Sequence, residues 1–326
     1  MPAPKPPSGQ IELDVFVSDK AGNPVSGLTR GDFTLLDNDR PAEIQSFRAY
    51  ESGTQPPDVQ VVLVIDAVNI GFHEISYSRF GIDEFLRRNG GRLAAPTTIL
   101  WYTDTGLEGG EAPTTDGNAL AAKLDATQGQ LRSLTRTAGA WGAIERFEMS
   151  LQTLDRIVQA ARQGPGRKLL IWIGPGWPML DSPNMQMTWK DQQHMFHNIV
   201  GLSTMLREAH MSIYSVTPGM PNEYTFLYEG YLKGVKKASQ VNLPDLDLKV
   251  LAVESGGRVL SPSNDLSAEI EQCARDVGPY YTIGFTPPRA DGPDEYHELK
   301  VRVDRPGLTA RTNTGYYNQP PGRQLP

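Results

Sequence analysis

Four short, largely apolar runs constrain this chain more than any other feature. They occupy residues 61–65, 97–102, 168–173 and 212–216. Such a run is expected of a strand covered on both faces, as in a parallel sheet. Segments of helical periodicity lie between them. Residues 138–162 place Trp141, Ile144, Phe147, Leu151, Leu154, Val158 and Ala161 on one stripe, and Gly164, Pro165 and Gly166 terminate that helix. Residues 188–209 place Met195, Ile199, Leu202 and Leu206 on one face. Further helices are predicted over 76–88, 116–131, 245–254 and 265–276, the last with Asn264 as N-cap. Strands alternating with helices mean βαβ units. Residues 57–278 are therefore predicted to form one open α/β domain, a mostly parallel sheet with helices on both faces.

The flanks read differently. Ile11, Leu13, Val15 and Val17 recur with a period close to two, and a turn cluster follows at 20–24. Residues 32–36 and 42–47 are predicted strands, with Asp37, Asn38 and Asp39 as the turn between them. Residues 51–58 are a polar linker rich in Pro and Gly. After Pro279 the chain returns to strands at 280–286, 296–304 and 308–316. Neither flank is large enough to build a core alone. They are predicted to pair into one β-sandwich, residues 9–56 with 279–318, into which the α/β domain is inserted. Residues 1–8 and 319–326 read as flexible tails.

Composition excludes several function classes. A net charge of −7 over 326 residues argues against general binding to nucleic acid or an anionic membrane. No apolar run approaches the length of a membrane span. Residues 1–10 are polar and Pro-rich, without the apolar core of a signal peptide. The single cysteine, Cys273, lies between Ile270 and Val277 and reads as a buried small hydrophobe. His194 and His197 share a helix face with Asp191, but no third zinc ligand accompanies them. His73 and His210 read as ordinary loop or helix-end residues. Residues 164–168 superficially resemble a phosphate loop, yet close a helix and open a strand, the reverse of what a P-loop does. Nothing assembles a nucleophile, a base and an oxyanion hole, so the chain reads as a non-enzyme without a cofactor.

The first buried run ends Val64-Ile65-Asp66, with Asn69 three residues on. The matching segments elsewhere are Gly22, Val25, Leu28, Asp32 and Phe33; residues 165–172, from Pro165 through Lys168 to Trp172; residues 280–285, from Tyr280 to Phe285; and the closing Gly315, Tyr316 and Tyr317. On these the chain resembles the bacterial von Willebrand factor A-related domain family. The resemblance covers about 300 residues. It implies a Rossmann-like A domain with a β-rich companion, export to the periplasm or the cell exterior, and binding rather than catalysis.

Type A domains of this kind often hold a divalent ion through an Asp-x-Ser-x-Ser loop, a Thr and a second Asp, a hard-oxygen octahedron. Asp66 fills the first position here, but Val68 and Ile70 stand where the serines belong. Residues 174–176 follow the strand that should lead to the second Asp, and the next carboxylate is Asp181. Thr135 and Thr137 are the candidate threonines. The preferred reading is that Asp66 caps the next helix or binds backbone N–H groups of its loop. The alternative is Mg²⁺ held by Asp66 and Asn69. Two segments after strand ends are the candidate binding loops: 177–189, with Trp177, Met179, Met185 and Met187, and 219–243, with Tyr224, Phe226 and Tyr228; the alternative is that both pack on the domain and seal the vacant metal position. The reading they support is a protein-interaction or adhesion module that takes a protein or peptide at the carboxyl edge of the sheet. Metal-dependent adhesion and a scaffold role in a cell-envelope assembly are the alternatives.

Overall fold

The computed structural model describes residues 9–51, 59–126, 139–178, 187–219 and 225–320. Four strands come first: β1 (Ile11–Ser18), β2 (Phe33–Asp37), β3 (Arg40–Ala42) and β4 (Ser46–Tyr50). The α/β part follows as β5 (Gln60–Asp66), α1 (Phe72–Arg87), β6 (Arg92–Thr103), β7 (Gly106–Gly109), β8 (Thr114–Asp116), α2 (Gly117–Ala126), α3 (Gly139–Arg162), β9 (Lys168–Ile173), α4 (Trp189–Glu208), β10 (Met211–Val216), α5 (Leu248–Glu254), β11 (Arg258–Val259) and α6 (Leu266–Ala274). Four strands close the chain: β12 (Tyr280–Phe285), β13 (Glu295–Val303), β14 (Thr309–Arg311) and β15 (Gly315–Asn318).

The central sheet has the order β11-β10-β9-β5-β6-β7, with β8 also on β6. Strands β11 to β6 are parallel, as expected from the largely apolar runs of β5, β6, β9 and β10. One face is covered by α1, α2 and α6 through Ile82, Leu86, Leu124, Leu266 and Ile270. The other is covered by α3, α4 and α5 through Leu154, Val158, Ile199, Leu206 and Leu251. The antiparallel edge strands β7 and β8 are not apparent in the sequence, because a Gly-rich run and a Thr pair carry little strand signal.

The terminal strands form two antiparallel sheets, β14-β1-β12-β4 and β15-β13-β2-β3. Their facing sides share one core of Leu13, Val15, Phe33, Leu35, Ile283, Phe285 and Tyr316. Rings meet across it, Phe33 with Tyr281 at 5.1 Å and Phe285 with Tyr316 at 5.7 Å. This is the expected sandwich. The single strand expected over 42–47 is corrected: β3 and β4 belong to different sheets, and the chain crosses between layers at 43–45 with Ile44 buried in passage.

The sandwich meets the α/β part at the amino ends of the parallel strands. Arg167, just before β9, is fully buried, with its guanidinium 4.5 Å from the Phe16 ring and 4.0 Å from the Tyr280 ring. It also donates to the Asp276 carbonyl. The Asp276 carboxylate accepts from Tyr214 at 2.8 Å and pairs with Arg258 and Arg311. His210, at the end of α4 with φ +50°, meets Asp14 of β1 at 3.1 Å. This corrects its reading as an ordinary helix-end residue; its partner lies 196 positions away in sequence. With the amino edge covered by the sandwich, the opposite edge, where Asp66 lies, is the one left to the strand-end loops.

Candidate functional site at the carboxyl edge

β5 ends at Asp66, fully buried between the parallel neighbours β6 and β9. Its Oδ1 accepts from the Val68 N–H at 3.0 Å and the Asn69 N–H at 2.8 Å. Its Oδ2 accepts from Asn69 Nδ2 at 2.9 Å and from the Trp172 indole Nε1 at 3.0 Å. A carboxylate offers about four lone-pair sites, and these four donors occupy them. Burial pushes the Asp66 acid above its ordinary range, against the pull of those hydrogen bonds. Part of the expected role therefore holds, since Asp66 binds the N–H groups of its own loop. It does not cap the following helix; Gly71 is the N-cap of α1, without a side-chain bond.

Ser150 and Tyr102 hold Asn69 in this arrangement. Ser150 of α3 donates to the Arg146 carbonyl at 2.7 Å. Its oxygen can then accept from Asn69 Nδ2 at 3.2 Å and from the Tyr102 hydroxyl at 3.1 Å. Burial pushes the Tyr102 phenol up to about 12. Trp172 stacks edge-on with Tyr102 at 5.7 Å and with Trp177 at 5.6 Å. Gly174 lies so close that a Cβ there would be 2.6 Å from the Asp66 Cβ.

This donor set does not fit a divalent cation. The oxygens of Asp66 are engaged by neutral donors, and Val68 and Ile70 are buried apolar side chains. Asn69 Oδ1 is the one orphaned acceptor here, far short of the six oxygens such an ion wants. No group of His, Cys, Asp and Glu among the described residues is arranged to hold a metal. Thr135, Thr137 and Asp181 lie outside the described residues.

The expected contact residues separate. Met179, Met185 and Tyr224 lie outside the described residues. Trp177 is 2% exposed and donates its indole N–H to the Leu246 carbonyl at 2.8 Å. It is corrected from contact residue to seal, because an aromatic that closes over Trp172 cannot also face a partner. Met187 is half-buried against the α3–α4 core face. Phe226 is 52% exposed, whereas Tyr228 is half-buried and turned inward.

Two tryptophans take the exposed role instead. Trp141 is 81% exposed and Trp189 69% exposed, at the first turns of α3 and α4. The stripe expected of α3 is thereby corrected at its start. Ser150 is level with Asn69 in the loop after β5, so Trp141 stands about two and a half turns, or about 13 Å, further along α3. The sequence pattern assigned both tryptophans to elements correctly but could not show that they are exposed. α4 is capped by Thr188, whose hydroxyl accepts from the Asp191 N–H at 3.2 Å. His194 and His197 are exposed on its outer face.

No protein-family model matches this chain, and no curated protein matches it. Among solved structures there is similarity to the human COPII-coat protein Sec24c, with TM-score 0.41 and 11% identity over 83% of this chain and 45% of that one. The pilus adhesin SpaC of Lactobacillus rhamnosus GG gives TM-score 0.37 and 9% identity over 89% and 48%. The TFIIH p34 N-terminal domain gives 0.36 and 10% over 68% and 99%. The chain spans less than half the length of the first two. Likeness at this level carries no argument about function.

Proposed function

We propose that this chain is a non-catalytic, exported protein-interaction module. In this reading it is a relative of the von Willebrand A domains whose cation position has been taken over by an indole, and it binds a protein or peptide at the carboxyl edge of its sheet. The observation that carries the reading is the pairing of two facts at one edge. The carboxylate that would recruit a metal is saturated by Trp172, Asn69 and backbone, while Trp141, Trp189, Phe226 and Leu227 are left exposed on the elements that rise from that edge. Large apolar side chains left exposed are a mark of interaction sites. Tryptophan is prominent among the residues that anchor interfaces.

The test is selection of a displayed random peptide library on the wild-type protein, followed by affinity measurement in EDTA and in Mg²⁺. Selected peptides are expected to bind equally in both, and the double variant Trp141→Ser/Trp189→Ser should weaken them at least tenfold while keeping its thermal midpoint. Binding that requires Mg²⁺, or that ignores the exposed side chains of this edge, would overturn the proposal.

A further inference from the structure

Residues 225–237, between β10 and α5, form a pinned strap. Thr225 and Val235 are buried, and the Val235 carbonyl accepts from the Tyr317 hydroxyl at 2.9 Å. Gly234 passes so close to Tyr296 that a Cβ would overlap its ring. Between these anchors, Leu227–Tyr231 is a 3₁₀ helix. At three residues per turn, side chains three apart share a stripe. Tyr228 and Tyr231 are half-buried and face the body, while Phe226, Glu229 and Leu232, three apart from cap to cap, share an exposed stripe beside the exposed Leu227 and Gly230. Beyond the helix Lys233 is exposed and Gly234 half-buried. Lys236 and Lys237 continue the exposed surface. Lys123 and Lys300 hold ion pairs, whereas Lys233, Lys236 and Lys237 hold none among the described residues. The strap is thus a rigid apolar face running into three uncompensated positive charges, on a chain of net charge −7.

We infer that this face docks a peptide segment with an apolar half beside an acidic half, the apolar part on Phe226, Leu227 and Leu232 and the acidic part on Lys233, Lys236 and Lys237. The inference rests on the reading that this chain binds protein, and it adds the partner's chemistry. The charge of the strap is complementary to such a segment, and the pinned backbone costs little further ordering on binding. An anionic membrane is the less suitable occupant. Glu229 stands between Phe226 and Leu232 on their own stripe, so a uniformly negative surface would meet a carboxylate in the middle of the contact. A peptide can place a donor there.

The experiment uses the full chain and three probes in fluorescence anisotropy and sedimentation. They are a synthetic peptide with a Leu/Phe half followed by a Glu-rich half, the same peptide with Lys in place of Glu, and phosphatidylglycerol vesicles. The wild type is expected to bind the Glu peptide in preference to the Lys peptide. The variant Lys233→Glu/Lys236→Glu/Lys237→Glu should bind the Glu peptide about tenfold more weakly and prefer the Lys peptide. The variant Phe226→Ser/Leu227→Ser should lose both, and all variants should keep the wild-type circular dichroism and thermal midpoint. Equal binding of the two peptides, binding of vesicles alone, or no effect of the strap variants would overturn the inference. Loss of the Glu peptide only in Trp141→Ser/Trp189→Ser would overturn it too, while leaving the edge as the binding site. Library-selected peptides indifferent to every exposed residue of this edge would overturn both readings.

Discussion

Replacing Trp172 by Phe tests the saturated carboxylate directly. The change removes the indole N–H at 3.0 Å from Asp66 Oδ2 and leaves that oxygen with Asn69 Nδ2 alone. A hydrogen bond to a charged group contributes about 1.5–3 kcal/mol. Trp172 is fully buried between Tyr102 and Trp177, so the smaller ring also leaves a void, at a cost of about 1–2 kcal/mol. The expected total is about 2.5–5 kcal/mol. In urea unfolding followed by circular dichroism, this lowers the midpoint by about 0.8–1.7 M if the slope is near 3 kcal/mol/M. The same titrations in EDTA and in about 1 mM Mg²⁺ probe the cation directly. A site with Kd near 10 μM would add about 2.7 kcal/mol at that concentration. Neither wild type nor variant is expected to gain, because Val68 and Ile70 supply no oxygen once the indole is gone. A midpoint that moves by less than about 0.3 M on Trp172→Phe would refute the role of the indole. A Mg²⁺-dependent rise in the wild type would refute the saturation of Asp66.

Four further outcomes follow from the geometry. Gly174→Ala drives a Cβ to 2.6 Å from the Asp66 Cβ and should cost about 1–3 kcal/mol in the same urea assay, whereas Gly219→Ala, with open space around it, is the control for positive-φ strain alone. The Asp14–His210 pair gives a pH dependence. Asp14 raises the His210 pKa above its ordinary 6.5, so that contribution is complete below about 6.5 and fades as pH rises through the folded value. Burial pushes Asp14 up, but His210, Arg167 and Lys168 outweigh it and hold the acid below 3.8, so its contribution fades only as pH falls through that lower value. The pair stabilises most between about pH 4 and 6.5, and His210→Gln should flatten the decline in urea midpoint above pH 6.5. Cys273 should resist a thiol reagent such as dithionitrobenzoate in the native state and react at once in urea. Trp141→Ser and Trp189→Ser should each shift the unfolding midpoint by less than the equivalent of about 0.5 kcal/mol, since neither side chain is buried.

The α/β core with its surrounding sandwich was legible in the sequence because it depends on local pattern. Runs such as 61–65 and 169–173 have no polar residue to show water, so they are expected to be covered on both sides, and the 3.6-residue stripes between them supply the cover. The alternation of Ile11, Leu13, Val15 and Val17 likewise marked a strand with one face on a core. The loss of the serines at Val68 and Ile70 was also readable, since a residue without a side-chain oxygen cannot ligate magnesium in any fold. Strand order decided the rest. Trp172 reads as one more apolar residue in a buried run, and only the placement of β9 beside β5 brings its N–H to Asp66. Ser150 and Tyr102 join the same cluster from elements more than thirty residues away in sequence. Which tryptophans are buried and which exposed was equally closed to pattern. Trp177 and Trp189 fall in one segment, and the tertiary structure buries the first, bonded to the Leu246 carbonyl, while leaving the second exposed at a helix start. Local periodicity records what a residue's own element needs; exposure is set by what the neighbouring elements cover, and that is written in no single stretch of the chain.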